Sequence, residues 1–150
     1  MDQDLRLATS SDLPAVLDLI RDEFAYMDER IDPPSSIHGM TLKGFDNKEV
    51  WVLGNPICAC MVLSVNADAM YLGKVAIRSH KRGNGLLRRL IDQAGDRALK
   101  FGKDRLQLES RIELSDVHHA FRSVGFEEVR RGAHEGFETD TFIVMEKDIR

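Results

Sequence analysis

The stretch Val75-Ala76-Ile77-Arg78-Ser79-His80-Lys81-Arg82-Gly83-Asn84-Gly85-Leu86-Leu87 constrains this chain more than any other. The residues from Met70 to Ile77 read as a strand, and the basic turn with two glycines ends it. Leu86, Leu87, Leu90, Ile91, Ala94, Ala98 and Phe101 then recur at helical spacing, and Gly102 follows as the natural stop. A strand must therefore turn tightly into a helix that packs back on the sheet. The start of a helix leaves about four backbone N–H groups unpaired and carries roughly +0.5 charge. Glycines let an anion approach those groups closely, so the turn suits a diphosphate held by backbone donors. Two commoner phosphate loops are excluded. No Gly-Lys-Ser/Thr follows, and the third glycine of a dinucleotide fingerprint is missing from a segment that lies mid-chain.

Charge points the same way. Residues 74 to 89 hold Lys74, Arg78, Lys81, Arg82, Arg88 and Arg89 and no acid, within a chain of net charge −4. The local +6 leaves −10 for the remainder, which argues for a specific anionic ligand and against general nucleic-acid binding. At 150 residues the chain is one domain's worth of sequence, read as a single domain over 1–150. The acidic, polar start MDQDLRLATSSD and the lack of a long apolar run predict a cytoplasmic protein with no targeting segment and no membrane partner. Cys58 and Cys60 would point the same way on a strand. They make a poor disulfide and match no metal spacing, so they read as small buried residues in a reducing compartment.

The remaining elements follow from periodicity. Leu5 to Ala8 reads as a strand. Leu13, Val16, Leu17, Ile20 and Phe24 predict a helix over 12–25, with Thr9 to Asp12 as caps and Pro14 in the first turn. Residues 26 to 36, with Pro33 and Pro34, read as a loop. Ser35 or Ser36 would cap a short second helix containing Ile37, Met40, Leu42 and Phe45. Glu49–Leu53, Ile57–Val65 and Met70–Ile77 predict an antiparallel meander turning at Gly54-Asn55-Pro56 and Asn66-Ala67-Asp68. Arg105–Ser110 reads as a fifth strand. A short helix with Val117, Ala120, Phe121 and Val124 stops at Gly125, before strands at 126–130 and 141–147.

Arg82-Gly83-Asn84-Gly85-Leu86-Leu87 resembles the Arg/Gln-x-x-Gly-x-Gly/Ala acyl-CoA loop of the GNAT superfamily of N-acetyltransferases. The opening LRLATSSDLPAVLDLI is similar to that family's first strand and helix, and AFRSVGFEEV to its second signature. The resemblance covers nearly the whole chain. It implies an α/β (α+β) fold with a mixed, mostly antiparallel central sheet of six to seven strands and about four flanking helices. It also implies acetyl-CoA as cosubstrate, no metal, and transfer of the acetyl group to a primary amine on a small molecule or protein, by direct attack in a ternary complex. A homodimer is compatible with it. Diphosphate contacts would fall on the backbone N–H groups of Arg82, Gly83, Asn84, Gly85, Leu86 and Leu87. The pantetheine arm would lie along Val75, Ala76 and Ile77, with a backbone N–H near Val75 facing the thioester oxygen.

Three positions depart from the family pattern. Leu87 replaces the last Gly or Ala, Ser79 stands where proline is common, and Phe121 takes the place of a tyrosine that often protonates the leaving thiolate. Expelling a thiol of pKa near 8.5 at neutral pH is roughly 2 kcal/mol uphill, so loss of that acid hinders transfer without abolishing it. Water or Tyr71 would substitute. A lysine-like amine costs about 4.6 kcal/mol to deprotonate at pH 7 and an α-amine only about 1 kcal/mol, so a general base matters most for the first. Glu109 is the first candidate base, on a strand face shared with Gln107 and Arg111, and Glu113 the second. His118 and His119 fit better as residues on the polar face of their helix. The 26–36 loop and His134-Glu135-Gly136-Phe137 would border the acceptor, with Asp28, Glu29 and Asp32 as possible attraction for a cation. Two other readings remain open. One is a non-catalytic acyl-CoA sensor, favoured by Phe121. The other is a nucleotide-phosphate binder that uses the same helix start.

Overall fold

The computed structural model describes residues 4–25, 30–32, 40–83 and 85–150. Its sheet is built from β1 (Leu5–Leu7), β2 (Glu49–Leu53), β3 (Ala59–Val65), β4 (Met70–Ile77), β5 (Arg105–Arg111), β6 (Glu127–Gly132) and β7 (Phe142–Asp148). The three α-helices among the described residues are α1 (Leu13–Phe24), α2 (Leu86–Lys100) and α3 (Ser115–Ser123). The strand order is β1-β2-β3-β4-β5-β7-β6, and every pairing is antiparallel except β4 with β5. This is the mixed, mostly antiparallel sheet that the sequence implied.

Local chemistry accounts for the element ends. Thr9 donates its N–H to Asp12 Oδ2 at 2.7 Å, closing a capping box just before α1. Val16, Leu17, Leu19 and Ile20 form the buried face of α1, each worth about 1.5–3 kcal/mol of burial. The β3–β4 turn is held by Asn66 Oδ1, which accepts the N–H groups of Asp68 (2.9 Å) and Ala69 (2.7 Å). α2 ends at Gly102, where the Lys103 N–H reaches the Ala98 carbonyl at 2.9 Å.

Two cores sandwich the sheet. On one face α1 packs over Val50, Val52, Cys60, Val62 and Ala76. On the other, α2 and the Phe121–Val124 end of α3 pack over Met61, Leu63, Leu72, Leu106 and Met145. Two expectations are corrected here. Cys58 precedes β3 and belongs to the α2-side core, while Cys60 lies on β3 and belongs to the α1-side core, so the thiols face opposite ways. Of the expected second helix, Ile37 lies outside the described residues, Met40 and Thr41 are not helical, and Leu42–Phe45 forms a single 3₁₀ turn. Gly44 and the extended backbone at Thr41 limit it to that turn.

The feature that positions the site is a bulge. Leu63 pairs with Leu72 and Val62 with Lys74, which leaves Gly73 without a partner on β3. A bulge kinks its strand and sharpens the twist. Parallel pairing with β5 stops after Met70–Leu106 and Tyr71–Gln107, and the two strands separate beyond it.

Candidate acyl-transfer site

Beyond the bulge, β4 has one partnered edge and one open edge. The Arg78 N–H donates to the Cys58 carbonyl at 2.8 Å, and the pleat repeats every second residue. Ala76 and Lys74 therefore also turn their backbone groups to β3. Val75 and Ile77 turn theirs to the gap that β5 has left. The Ile77 carbonyl accords with this, since it accepts Arg82 Nε, from the turn after β4, at 3.3 Å. Of the three strand residues expected along a pantetheine arm, Val75 and Ile77 thus present backbone groups and Ala76 contributes wall.

Two neighbouring spaces flank the gap. A channel of about 540 Å³ runs between the Val75–Ile77 edge, the Arg82–Gly83 turn, the start of α2 and α3. A cleft of about 390 Å³ lies between β4 and β5, with Tyr71, Lys74, Val75, Glu109 and Ser110 among its walls. Phe24, Val75, Val117 and Phe121 border both.

At the channel's end, Gly85 is the N-cap of α2, with φ 75° and no side-chain cap, and Gly83 has φ 82°. These left-handed conformations favour glycine. Apart from its chain neighbours, a Cβ added at either residue would meet no atom of the described residues within 4 Å, so the backbone here stands bare before open space. The helix ladder begins with the Arg89 N–H on the Gly85 carbonyl at 3.2 Å. Leu86 and Leu87 lie in the first turn, where N–H groups have no intrahelical acceptor. Arg82 differs from the expectation, because its N–H is engaged by the Ser79 carbonyl at 3.3 Å. What it brings to the channel is its guanidinium. Asn84 lies outside the described residues.

The basic cluster is less free than its charge suggested. Glu23, at the end of α1, ion-pairs with Arg82 (3.1 Å) and Arg78 (3.7 Å) and accepts the Ser79 hydroxyl at 3.1 Å. Asp22 holds Arg78 at 2.9 Å, and Arg88 donates to the Ser123 carbonyl at 3.2 Å. Glu23 thus ties the basic turn to α1. Its partners are 55 or more residues away in sequence, and no local pattern marks it.

The two sheet faces give the cleft two chemically different sides. Leu106 and Leu108 on β5 belong to the α2-side core, so the alternate residues Gln107, Glu109 and Arg111 take the α1 side, as expected. Tyr71 and Lys74 lie on that side too, because the bulge shifts the alternation between Leu72 and Val75. Tyr71 and Glu109 are therefore brought to one cleft. Burial raises the Tyr71 phenol pKa, and the Glu109 charge raises it further. On the α2 side stand Phe121 and Ser110. Phe121 is packed edge-on to Phe126 with ring centroids 5.4 Å apart and offers no proton. Ser110 is 8% exposed and its Oγ has no hydrogen-bond partner among the described residues. Sequence reasoning missed Ser110 because alternation makes it look like an ordinary core position.

Other candidates take other roles. Glu113 Oε2 accepts the Asp32 N–H at 2.9 Å and so secures a loop. Asp28 and Glu29 lie outside the described residues. His119 is exposed, as expected on a polar helix face, but His118 is buried, with Nε2 donating to the Arg111 carbonyl at 2.9 Å. His134 lines the cleft, and its N–H donates to Thr141 Oγ1 at 2.8 Å. Burial pushes the Cys60 thiol up to about 12, which keeps it protonated and unreactive at neutral pH. Among the described residues no group of His, Cys, Asp and Glu is arranged to hold a metal ion, and no helix is long and apolar enough to cross a membrane.

His118 yields a stability prediction. Burial lowers its pKa, with Arg122 and Arg131 adding to the effect and the Arg111 carbonyl and Glu128 opposing it. The unfolded chain takes up this proton near 6.5, whereas the folded chain resists it. The contribution is complete above that value and is lost as pH falls through the lowered folded one. The melting temperature should fall between pH 7 and pH 5, and His118→Gln should flatten part of the fall. An identical pH profile in the variant would exclude the assignment.

Comparison with known proteins fits this geometry. The family model of the GNAT acetyltransferases matches residues 13–126, and the chain belongs to that family. A search of curated sequences gave no match. Among solved structures, the ribosomal-protein-S18-alanine N-acetyltransferase of Escherichia coli superposes with a TM-score of 0.70 at 22% identity, over 98% of this chain and 94% of that one. A putative N-acetyltransferase from Lactobacillus plantarum gives 0.75 at 19% identity, over 100% of both chains. A GNAT family acetyltransferase from Elizabethkingia anophelis with acetyl-CoA bound gives 0.70 at 14% identity, over 98% of both chains. At these identities the likeness is one of fold.

Proposed function

We propose that this protein, as one acetyltransferase domain, moves the acetyl group of acetyl-CoA to a primary amine by direct attack in a ternary complex. The observation that carries the reading is the separation of β4 from β5. It leaves the Val75 and Ile77 backbone groups facing the channel at the start of α2, which shares Val75, Phe24, Val117 and Phe121 with the cleft between the two strands. The bare glycine backbone and the first-turn N–H groups fit a diphosphate. Gly83, Gly85, Leu86 and Leu87 would hold it, with Asn84 by family resemblance and the Arg82 side chain kept in place by Glu23. The two buried cysteines, neither joined in a disulfide, accord with a reducing, cytoplasmic setting.

Acetyl-CoA, when bound, supplies an electrophilic thioester carbonyl. The chain's own groups do the rest. The Val75 N–H lies on the open edge, where it would donate to an oxygen gaining charge. Glu109 would accept a proton from the amine, and Tyr71 would return one to the departing sulfur. Holding both reactants in one cleft contributes up to ~7–11 kcal/mol, more than either proton transfer.

The test is release of free thiol from acetyl-CoA in the presence of an amine panel. Phe121 favours a second reading, a sensor that binds acyl-CoA without turnover. Binding without thiol release across the panel would select it. If transfer occurs, Phe121→Tyr restores an acid beside the channel. Because thiolate expulsion is roughly 2 kcal/mol uphill, kcat should rise several-fold, and about 30-fold is the ceiling. An unchanged kcat would show that thiolate departure does not limit the rate.

A further inference from the structure

Lys74 is unlike the other cations of the basic stretch. It lies on β4, and the bulge at Gly73 sends it to the α1 side of the cleft, away from the diphosphate-binding turn. It is half-buried, and its ammonium sits 6.0 Å from the centroid of the Phe24 ring. Among the described residues no carboxylate lies within ion-pairing distance of it. Burial and the nearby charge of Lys48 disfavour its protonated form, and Glu109 only partly opposes them. An ammonium withdrawn from water without a counter-ion is unfavourable. An aromatic face returns only ~0.5–1 kcal/mol at a partly exposed site.

Among the described residues a partner anion is thus missing, and it cannot be the diphosphate, whose N–H donors lie at the start of α2. Glu109 is the only carboxylate among the described residues that line the cleft. It lies on the adjacent strand and the same sheet face as Lys74. Neighbouring strands are about 4.8 Å apart and these two are diverging, so the opposite charges stand roughly 5–10 Å apart. A small molecule bearing an amine and an acid spans that distance, and the 390 Å³ cleft has room for one.

We propose that the acceptor is a small carboxylated primary amine of the amino-acid class, with its carboxylate on Lys74 and its amine turned to Glu109. This rests on the acetyl-transfer reading above. The acceptor amine forms the new amide bond and loses one proton, and the thioester C–S bond breaks with the sulfur leaving as the thiol.

The experiment compares three acceptor series: free amino acids, their carboxamides, and the amines that lack the carboxyl group. Thiol release gives kcat/KM, and thermal denaturation of the CoA complex gives binding independent of turnover. The expected result is at least a 20-fold preference for acids over carboxamides. Lys74→Met should bring that ratio close to one, and Lys74→Arg should keep most of it. Amides or simple amines used as well as acids, or a Lys74→Met variant that keeps the ratio, would overturn the proposal. If no acceptor is acetylated but acids alone stabilise the CoA complex, the carboxylate site stands and the catalytic reading falls. If neither transfer nor acid-selective stabilisation appears, the proposal falls too.

Discussion

Gly85→Glu should weaken acetyl-CoA binding by on the order of 100-fold or more while leaving the protein folded. Gly85 adopts φ 75° and, apart from its chain neighbours, a Cβ there meets no atom of the described residues within 4 Å, so the new side chain projects into open space and displaces no core atom. The fold pays only the cost of a left-handed non-glycine residue, about 1–2 kcal/mol, against a typical total stability of about 5–15 kcal/mol. The carboxylate, however, stands where the diphosphate must sit. Like charges about 4 Å apart repel by roughly 1 kcal/mol in water and about 4 kcal/mol in a partly screened site, and each 1.4 kcal/mol is about tenfold in affinity. Gly85→Ala is the control, because it bears the same backbone strain and adds no charge. Its dissociation constant should move by less than about tenfold. Calorimetric titration with acetyl-CoA, next to melting curves of both variants, checks the pair. Equal losses in both would place the effect in the backbone rather than in repulsion.

Glu109→Gln should lower kcat at pH 7 by about 100-fold or more for an acceptor amine of lysine-like pKa. Positioned general bases contribute ~10²–10⁴-fold, and the lysine-like amine has about 4.6 kcal/mol of deprotonation to gain. The loss should shrink as pH rises toward the pKa of the amine, since solution then supplies the neutral nucleophile. For an α-amine of pKa near 7.8 the loss should be small throughout, because only about 1 kcal/mol is at stake. A pH–rate profile of both enzymes with both acceptors reads this. A loss independent of pH would assign Glu109 a placing role instead.

Local chemistry was legible in the sequence, and long-range chemistry was not. The strand, basic turn, glycines and helix of residues 70–102 could be read because helix start, periodicity and stop are each written within a few residues. The same holds for the meander and for the Glu109 face of β5, which follow from alternation. The separation of β4 from β5 beside Glu109 was implied by the family resemblance and is written in no local pattern, and the bulge that leaves Gly73 without a partner across β3 escaped altogether, being a matter of register. Register also misplaced Cys58, which stands one residue outside the strand that would have set its direction. His118 was read from helix position alone, and the carbonyl that buries it belongs to Arg111 on another element. Glu23 and Lys74 owe their importance to partners gained or lost in three dimensions, which no spacing reveals.

The most direct test is a backbone amide titration by NMR with acetyl-CoA. The N–H signals of Gly83, Gly85, Leu86 and Leu87 should shift strongly, together with those of Val75 and Ile77 on the open edge of β4, while those of Ala76 and Lys74, turned to β3, should move less. Saturable binding that leaves the Gly83–Leu87 and Val75–Ile77 signals in place would mean that the coenzyme sits elsewhere, and the account would be wrong.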